Sequence, residues 1–251
     1  MIKKYRFTII AIISFIAFYQ NNAFSQDSKI LNYDKVIAID IGHSINKFGA
    51  LSSAGVKEYD FNKNIGSMLF KELMANGYKN TIIVNESGND ISLKERSEQI
   101  NKTKAEILIS IHHDSVQPHY LKTKFVNGKK IIYTNDHTGF SIFFSKSNSH
   151  NVSSLKLAKL IGQSLTKNSF VPTYHHAEKI DGENRDLVDK ENGIYNVDFA
   201  ILRSSKMPSI LIECGIIVNP DEEIMLMNKI HQVKIVKSIS EAINKYFSKN
   251  L

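Results

Sequence analysis

Three side chains that can bind a metal, and one carboxylate that can move a proton, fall at the ends of apolar runs in this sequence. His43 follows the run Val36-Ile37-Ala38-Ile39-Asp40-Ile41, Glu58 stands where helical spacing begins, and His112 follows Ile107 to Ile111. Glu213 ends a further run, Met207-Pro208-Ser209-Ile210-Leu211-Ile212. Two histidines and one carboxylate leave a position open for water, the arrangement of hydrolytic zinc sites. A carboxylate at the end of a buried strand is costly unless paired or used, and set against such a water it would be a general base. Each residue also has a plainer reading. Glu58 suits a helix dipole, the histidines suit structural strand ends, and Glu213 suits a salt bridge to Arg203. The catalytic reading requires the first and third strands to be sheet neighbours.

The elements that would position these residues follow from periodicity. The β-branched run at 36–41 reads as a strand covered on both faces, and the glycine after it, Gly42, allows a turn or a close backbone approach. Phe61, Ile65, Met68, Leu69 and Leu73 fall on one helical face that Asn76-Gly77 closes. Thr81 to Val84 reads as a second strand, Ser92 with Glu95 as a capping box for a helix to about Lys104, and Ile107 to Ile111 as a third strand. Asn127-Gly128 between apolar stretches predicts a hairpin. Phe140 to Phe144 reads as a strand, Ser153 to Thr166 as a helix, and Phe199–Leu202 and Ser209–Ile212 as two more strands. Asn219-Pro220 followed by three acids starts a helix, and Val236, Ile239, Ile243 and Phe247 form the apolar face of the last one. Alternating strands and helices predict a single α/β domain: a mainly parallel twisted sheet of about six strands with helices on both faces. The segment 172–196 is the least regular and is long for a connection, which suits a functional or mobile loop.

The bulk numbers are those of an ordinary folded protein: 251 residues, 42% hydrophobic, 23% charged and a formal net charge of +7. Without Lys3, Lys4 and Arg6 the chain is mildly basic, which suits an anionic polymer. No basic block with interleaved aromatics occurs, so nucleic-acid binding is not expected. A basic start at Met1 to Arg6, an apolar run from Phe7 to Tyr19, and Ala23-Phe24-Ser25 form a secretory signal pattern over residues 1–25. The expectation is export, to the periplasm or beyond the cell, of a mature domain of residues 26–251 with no integral membrane span after processing. Cys214 is the single cysteine, so neither an intramolecular disulfide nor a cysteine-rich zinc site can form.

Taken together, the motifs resemble the zinc-dependent N-acetylmuramoyl-L-alanine amidases of the class called amidase 3. The resemblance rests on Asp40-Ile41-Gly42-His43, on Gly55-Val56-Lys57-Glu58 with Asn62, and on Ser110-Ile111-His112-His113-Asp114. It rests further on Met207 through Gly215 with Asn219-Pro220, and on Leu93, Arg96 and Asn101. It implies one zinc ion per chain on His43, Glu58 and His112, with Glu213 as catalytic glutamate and Asp40 as a residue that supports the ligands. It implies hydrolysis of the amide between N-acetylmuramic acid and L-alanine in peptidoglycan, and leaves room for a protein activator. His176 or His175, from the long segment, is the expected oxyanion or substrate contact, against the plainer reading of a solvated loop histidine. His113 should face away from the ligands. Two alternatives stay open: a zinc peptidase or carboxypeptidase on wall peptides, and a non-catalytic wall-binding relative. The chain departs from the family pattern at Ser44, His113 and Cys214.

Overall fold

The structure, a computed structural model, describes residues 34–248. The signal pattern expected at residues 1–25 lies outside the described residues. No helix among the described residues is long and apolar enough to cross a membrane.

The chain runs β1 (Ile37–Ile41), α1 (Glu58–Ala75), β2 (Ile82–Val84), α2 (Leu93–Lys102), β3 (Ile107–Asp114), β4 (Lys122–Val126), β5 (Lys129–Tyr133), β6 (Ser141–Phe144) and α3 (Asn151–Lys167). It continues through β7 (Asp186–Asp189), β8 (Ile194–Asn196), α4 (Ala200–Ser204), β9 (Ser209–Ile216), α5 (Pro220–Met227) and α6 (Lys229–Ser248). Seven strands form one sheet in the order β2-β1-β3-β9-β6-β8-β7, and β4-β5 is a separate hairpin. Within the sheet β1 pairs in parallel with β2 and β3, β3 with β9, and β6 with β8. The β6–β9 and β7–β8 pairs are antiparallel. The expected α/β domain is therefore present, with the first and third strands adjacent as the chemistry required.

Two sequence expectations are corrected. Phe199–Leu202 does not form a strand; Ala200–Ser204 is one helical turn, since so short an apolar run carries no period of its own. The segment 172–196, expected to be irregular, contains β7 and β8. These are short and partly polar, and they are strands because β6 offers a free edge to Ile194, Tyr195 and Asn196.

Side-chain alternation divides the sheet into two unlike faces. Ile37, Ile39, Ile107, Ile109, Ile210 and Ile212 face the larger core, built with α1, α3 and α6. Ala38, Leu108, Leu211 and Phe143 face a smaller one with residues of α2 and α4. Register then decides where the polar residues go. Asp40 is opposite Ser110, and His112 is opposite Glu213. All four belong to the smaller-core face, where the covering helices leave the carboxyl end of the sheet open. His113, one residue on from His112, is buried on the other side against Phe61 and hydrogen-bonded to Asn62 Oδ1 at 2.8 Å. Its burial pushes its pKa down to about 3, so it is a neutral packing residue.

The caps read from sequence are in place. Ser92 Oγ accepts from Glu95 N, and the Glu95 carboxylate accepts from Ser92 N at 2.7 Å. Asn219 Oδ1 accepts from Asp221 N and Glu222 N ahead of Pro220. Asn127 (φ 50°) and Gly128 (φ 76°) turn the β4–β5 hairpin.

Candidate active site

His43, Glu58 and His112 come together although 69 positions of chain separate the first from the last. His43 Nε2 lies 2.9 Å from Glu58 Oε2, and His112 Nδ1 lies 3.1 Å from Glu58 Oε1. Each oxygen of one carboxylate thus faces one imidazole, and the three ligand atoms all lie within 4.8 Å of one another. Burial would raise the Glu58 pKa, but hydrogen bonds and charge from His112 and His43 outweigh it and hold the carboxyl well below the usual range. This is a donor set of two nitrogens and an anionic oxygen, which fits a zinc-class ion.

Local structure explains the convergence. His43 adopts φ 67°, a left-handed conformation rare outside glycine. The Arg96 guanidinium holds it there, donating to His43 O at 2.6 Å, Ile41 O at 2.7 Å and Asp40 Oδ1 at 2.7 Å. The other oxygen of Asp40 accepts from Ser110 Oγ at 2.7 Å, so the clamp spans β1, α2 and β3. Ser44, next in the loop, hydrogen-bonds Asp90. Glu58 opens α1, and Asn62 one turn later donates to Glu58 Oε1 (3.1 Å) and to Gly42 O (3.2 Å).

Two glycines make room. A Cβ on Gly42 would lie 2.3 Å from His112 Nε2, and one on Gly49 would lie 2.1 Å from Glu58 Oε2 and 2.6 Å from the His43 ring. Of the two roles open to Gly42, a turn or a close approach, it fills the second, and the left-handed turn falls on His43. Gly49 and the Arg96 clamp were not derivable from spacing, because their partners come from distant parts of the chain.

Because Asp40 and Arg96 are both buried, removing one partner strands the other. Arg96→Met is expected to cost about 3–5 kcal/mol of unfolding free energy. Urea denaturation followed by circular dichroism checks it.

Glu213 stands beside His112 on the neighbouring strand, and its Oε2 is sealed from solvent without a hydrogen-bond partner. The salt bridge to Arg203 is not formed; Arg203 pairs with Asp198 at 2.5 Å. Burial, then the charges of Asp114 and Glu58, push the Glu213 pKa well above the usual carboxyl range, with Arg185 opposing. Cys214 is buried and its thiol pushed far up, which fits packing and not nucleophilic chemistry. His43, His112, Glu213, Arg96 and Phe199 line a cleft of about 500 Å³ between α2 and α4.

His175 and His176 do not line that cleft. Both are buried and turned toward Asp114, whose Oδ2 lies 2.8 Å from His176 Nε2 and 3.3 Å from His175 Nε2. Burial excludes the solvated-loop reading for both. Burial lowers the His176 pKa, but Asp114 and Glu183 on either side outweigh it and push it up to about 9.

The family model for N-acetylmuramoyl-L-alanine amidases (amidase 3) matches residues 37–245. A Buchnera aphidicola (subspecies Baizongia pistaciae) protein assigned to that activity is 31% identical over 229 residues, covering 86% of this chain and 98% of its own. Among solved structures, the Ami1 amidase of Mycobacterium smegmatis aligns at TM-score 0.66 and 19% identity, over 86% of this chain and 97% of that one. The CwlD amidase of Clostridioides difficile, solved in complex with the GerS lipoprotein, aligns at TM-score 0.63 and 24% identity, over 86% of this chain and 99% of that one.

Proposed function

The chain belongs to the N-acetylmuramoyl-L-alanine amidase family, and we propose that His43, Glu58 and His112 hold one zinc ion for which Glu213 is the proton carrier. The enzyme hydrolyses the amide between N-acetylmuramic acid and L-alanine in peptidoglycan. The peptidase and non-catalytic alternatives give way to that activity. One observation carries the assignment of residues: three ligand atoms converge, and two of their residues, His43 and His112, line one cleft with Glu213, whose buried Oε2 has no hydrogen-bond partner.

A zinc ion held by this donor set supplies Lewis acidity, acidifying a water and polarising the scissile carbonyl. The protein's own residues do the rest. Glu213 accepts the proton that the attacking water loses as its oxygen bonds to the lactyl carbonyl carbon. The same carboxyl then gives that proton to the alanine nitrogen as the carbon–nitrogen bond breaks. Its burial and its anionic neighbours suit it to hold a proton between those two events. Asn62 fixes the Glu58 carboxylate, and the Arg96 clamp fixes the backbone that carries His43, so part of the ordering is in place before the metal arrives.

Mass spectrometry of digested sacculi tests this reading. The expected products are intact stem peptides with a free L-alanine amine. A chelator is expected to stop their release, and added zinc to restore it. Cuts within the stem peptide would overturn the substrate assignment.

Export to the periplasm or the cell exterior accords with a wall substrate and with the basic-then-apolar start of the sequence. Intact-mass measurement of exported protein is expected to place its first residue near Gln26. A protein activator accords with the CwlD relative having been solved with a lipoprotein bound.

A further inference from the structure

We propose that Asp114, His175 and His176 form a second metal site, for a divalent transition-metal ion of the zinc class, which fastens the segment 172–196 to the end of β3. Asp114 Oδ2, His175 Nε2 and His176 Nε2 converge, with all three ligand atoms within 4.8 Å of one another. The two rings lie side by side at a centroid distance of 3.9 Å. Two imidazoles and a carboxylate make a donor set that suits zinc and its neighbours in the first transition row.

The outer contacts of the two rings are those of metal-bound histidines. His175 Nδ1 hydrogen-bonds Thr173 Oγ1 at 2.8 Å, and His176 Nδ1 hydrogen-bonds Glu183 Oε2 at 3.0 Å. Glu183 is held in turn by Arg185 Nε at 3.2 Å and by Gln117 Nε2 at 2.8 Å. When an ion displaces the proton that His176 shares with Asp114, a hydrogen on each Nδ1, held by such a partner, leaves each Nε2 lone pair aimed inward, which is how second-layer contacts prepare imidazole for a cation.

An independent observation points to an ion and not merely to a shared proton. His175 is 1% exposed, and its Nε2 has no contact of good hydrogen-bond geometry, only the charge contact to Asp114 Oδ2 at 3.3 Å. One proton between His176 and Asp114 leaves that nitrogen with a long, poorly aligned contact alone, a costly state for a buried polar atom. A metal ion satisfies all three donors together. The site lies two residues along β3 from His112, about 7 Å by strand rise. It is therefore separate from the His43–Glu58–His112 set and uses none of its residues.

Zinc stoichiometry decides the matter. After equilibrium dialysis of the full chain against ZnCl2, metal analysis is expected to find two zinc ions in the wild type and one in His43→Ala/His112→Ala. Adding His175→Gln to that double variant is expected to leave none. A double variant that binds no zinc, or zinc that survives His175→Gln, overturns the proposal. Should the triple variant fail to fold by circular dichroism, X-ray absorption on the zinc-loaded double variant decides. Two imidazoles in the first shell support the site, and one or none overturns it. Because the double variant lacks the first site, this outcome is independent of the proposed catalytic zinc.

Discussion

Glu213→Gln is expected to lower sacculus hydrolysis by about a thousandfold, within the range that a positioned general acid–base group supplies. Zinc content should be unchanged, because Glu213 is not among the three converging ligand atoms. Melting temperature should stay level or rise. Glutamine keeps the shape of the side chain and removes a carboxyl whose buried Oε2 has no partner and whose neighbours Asp114 and Glu58 repel its charge. A residue kept for structure would show the opposite pattern, with stability and activity falling together. Turnover is read by the appearance of soluble stem peptides, and stability by thermal denaturation of the same preparations. Wild-type turnover in this variant would remove Glu213 from the proton path.

The parts of this design that sequence revealed are those governed by short-range rules. Near-continuous apolar runs in β1, β3 and β9 placed His43, His112 and Glu213 at the ends of those runs, and Ser92 with Glu95 marked the start of α2. Parity within β3 sent His113 away from its neighbour. Missing were the features that depend on pairing between distant segments. β7 and β8 carry too few apolar residues to announce themselves, and they exist because β6 has an edge to fill. The helical turn at Ala200–Ser204 has the composition of a strand and becomes one wall of the cleft. His175 and His176 drew notice as loop histidines, yet their meaning depends on Asp114, 61 and 62 positions earlier. Motif order could suggest which residues act together, but it could not show which glycine leaves room for which ring.

That last point makes Gly42→Ala the most informative small substitution in the molecule. Gly42 is not among the residues with positive φ, so alanine fits its backbone without strain. It should even gain a little from a less flexible unfolded chain, about 0.4–1 kcal/mol. The cost is local. The added methyl would sit 2.3, 2.4 and 2.6 Å from His112 Nε2, Cε1 and Cδ2, inside the contact distance of every one of those atoms. The imidazole must therefore leave its place beside Glu58, to which its Nδ1 now lies at 3.1 Å. Displacements near 1 Å in such an assembly cost on the order of a hundredfold in rate. Gly42→Ala is accordingly expected to lose at least about a hundredfold in sacculus hydrolysis and to bind the catalytic zinc more weakly, with a loss of stability of only about 1–3 kcal/mol from overpacking. Gly128→Ala is the matching control. Its φ of 76° strains the alanine, but no atom lies within 4 Å of the new methyl, so metal binding and turnover should be unaffected. Full activity in Gly42→Ala would mean that the His112 ring is free to work from another position, and that the flat contact between glycine and imidazole is incidental to the site.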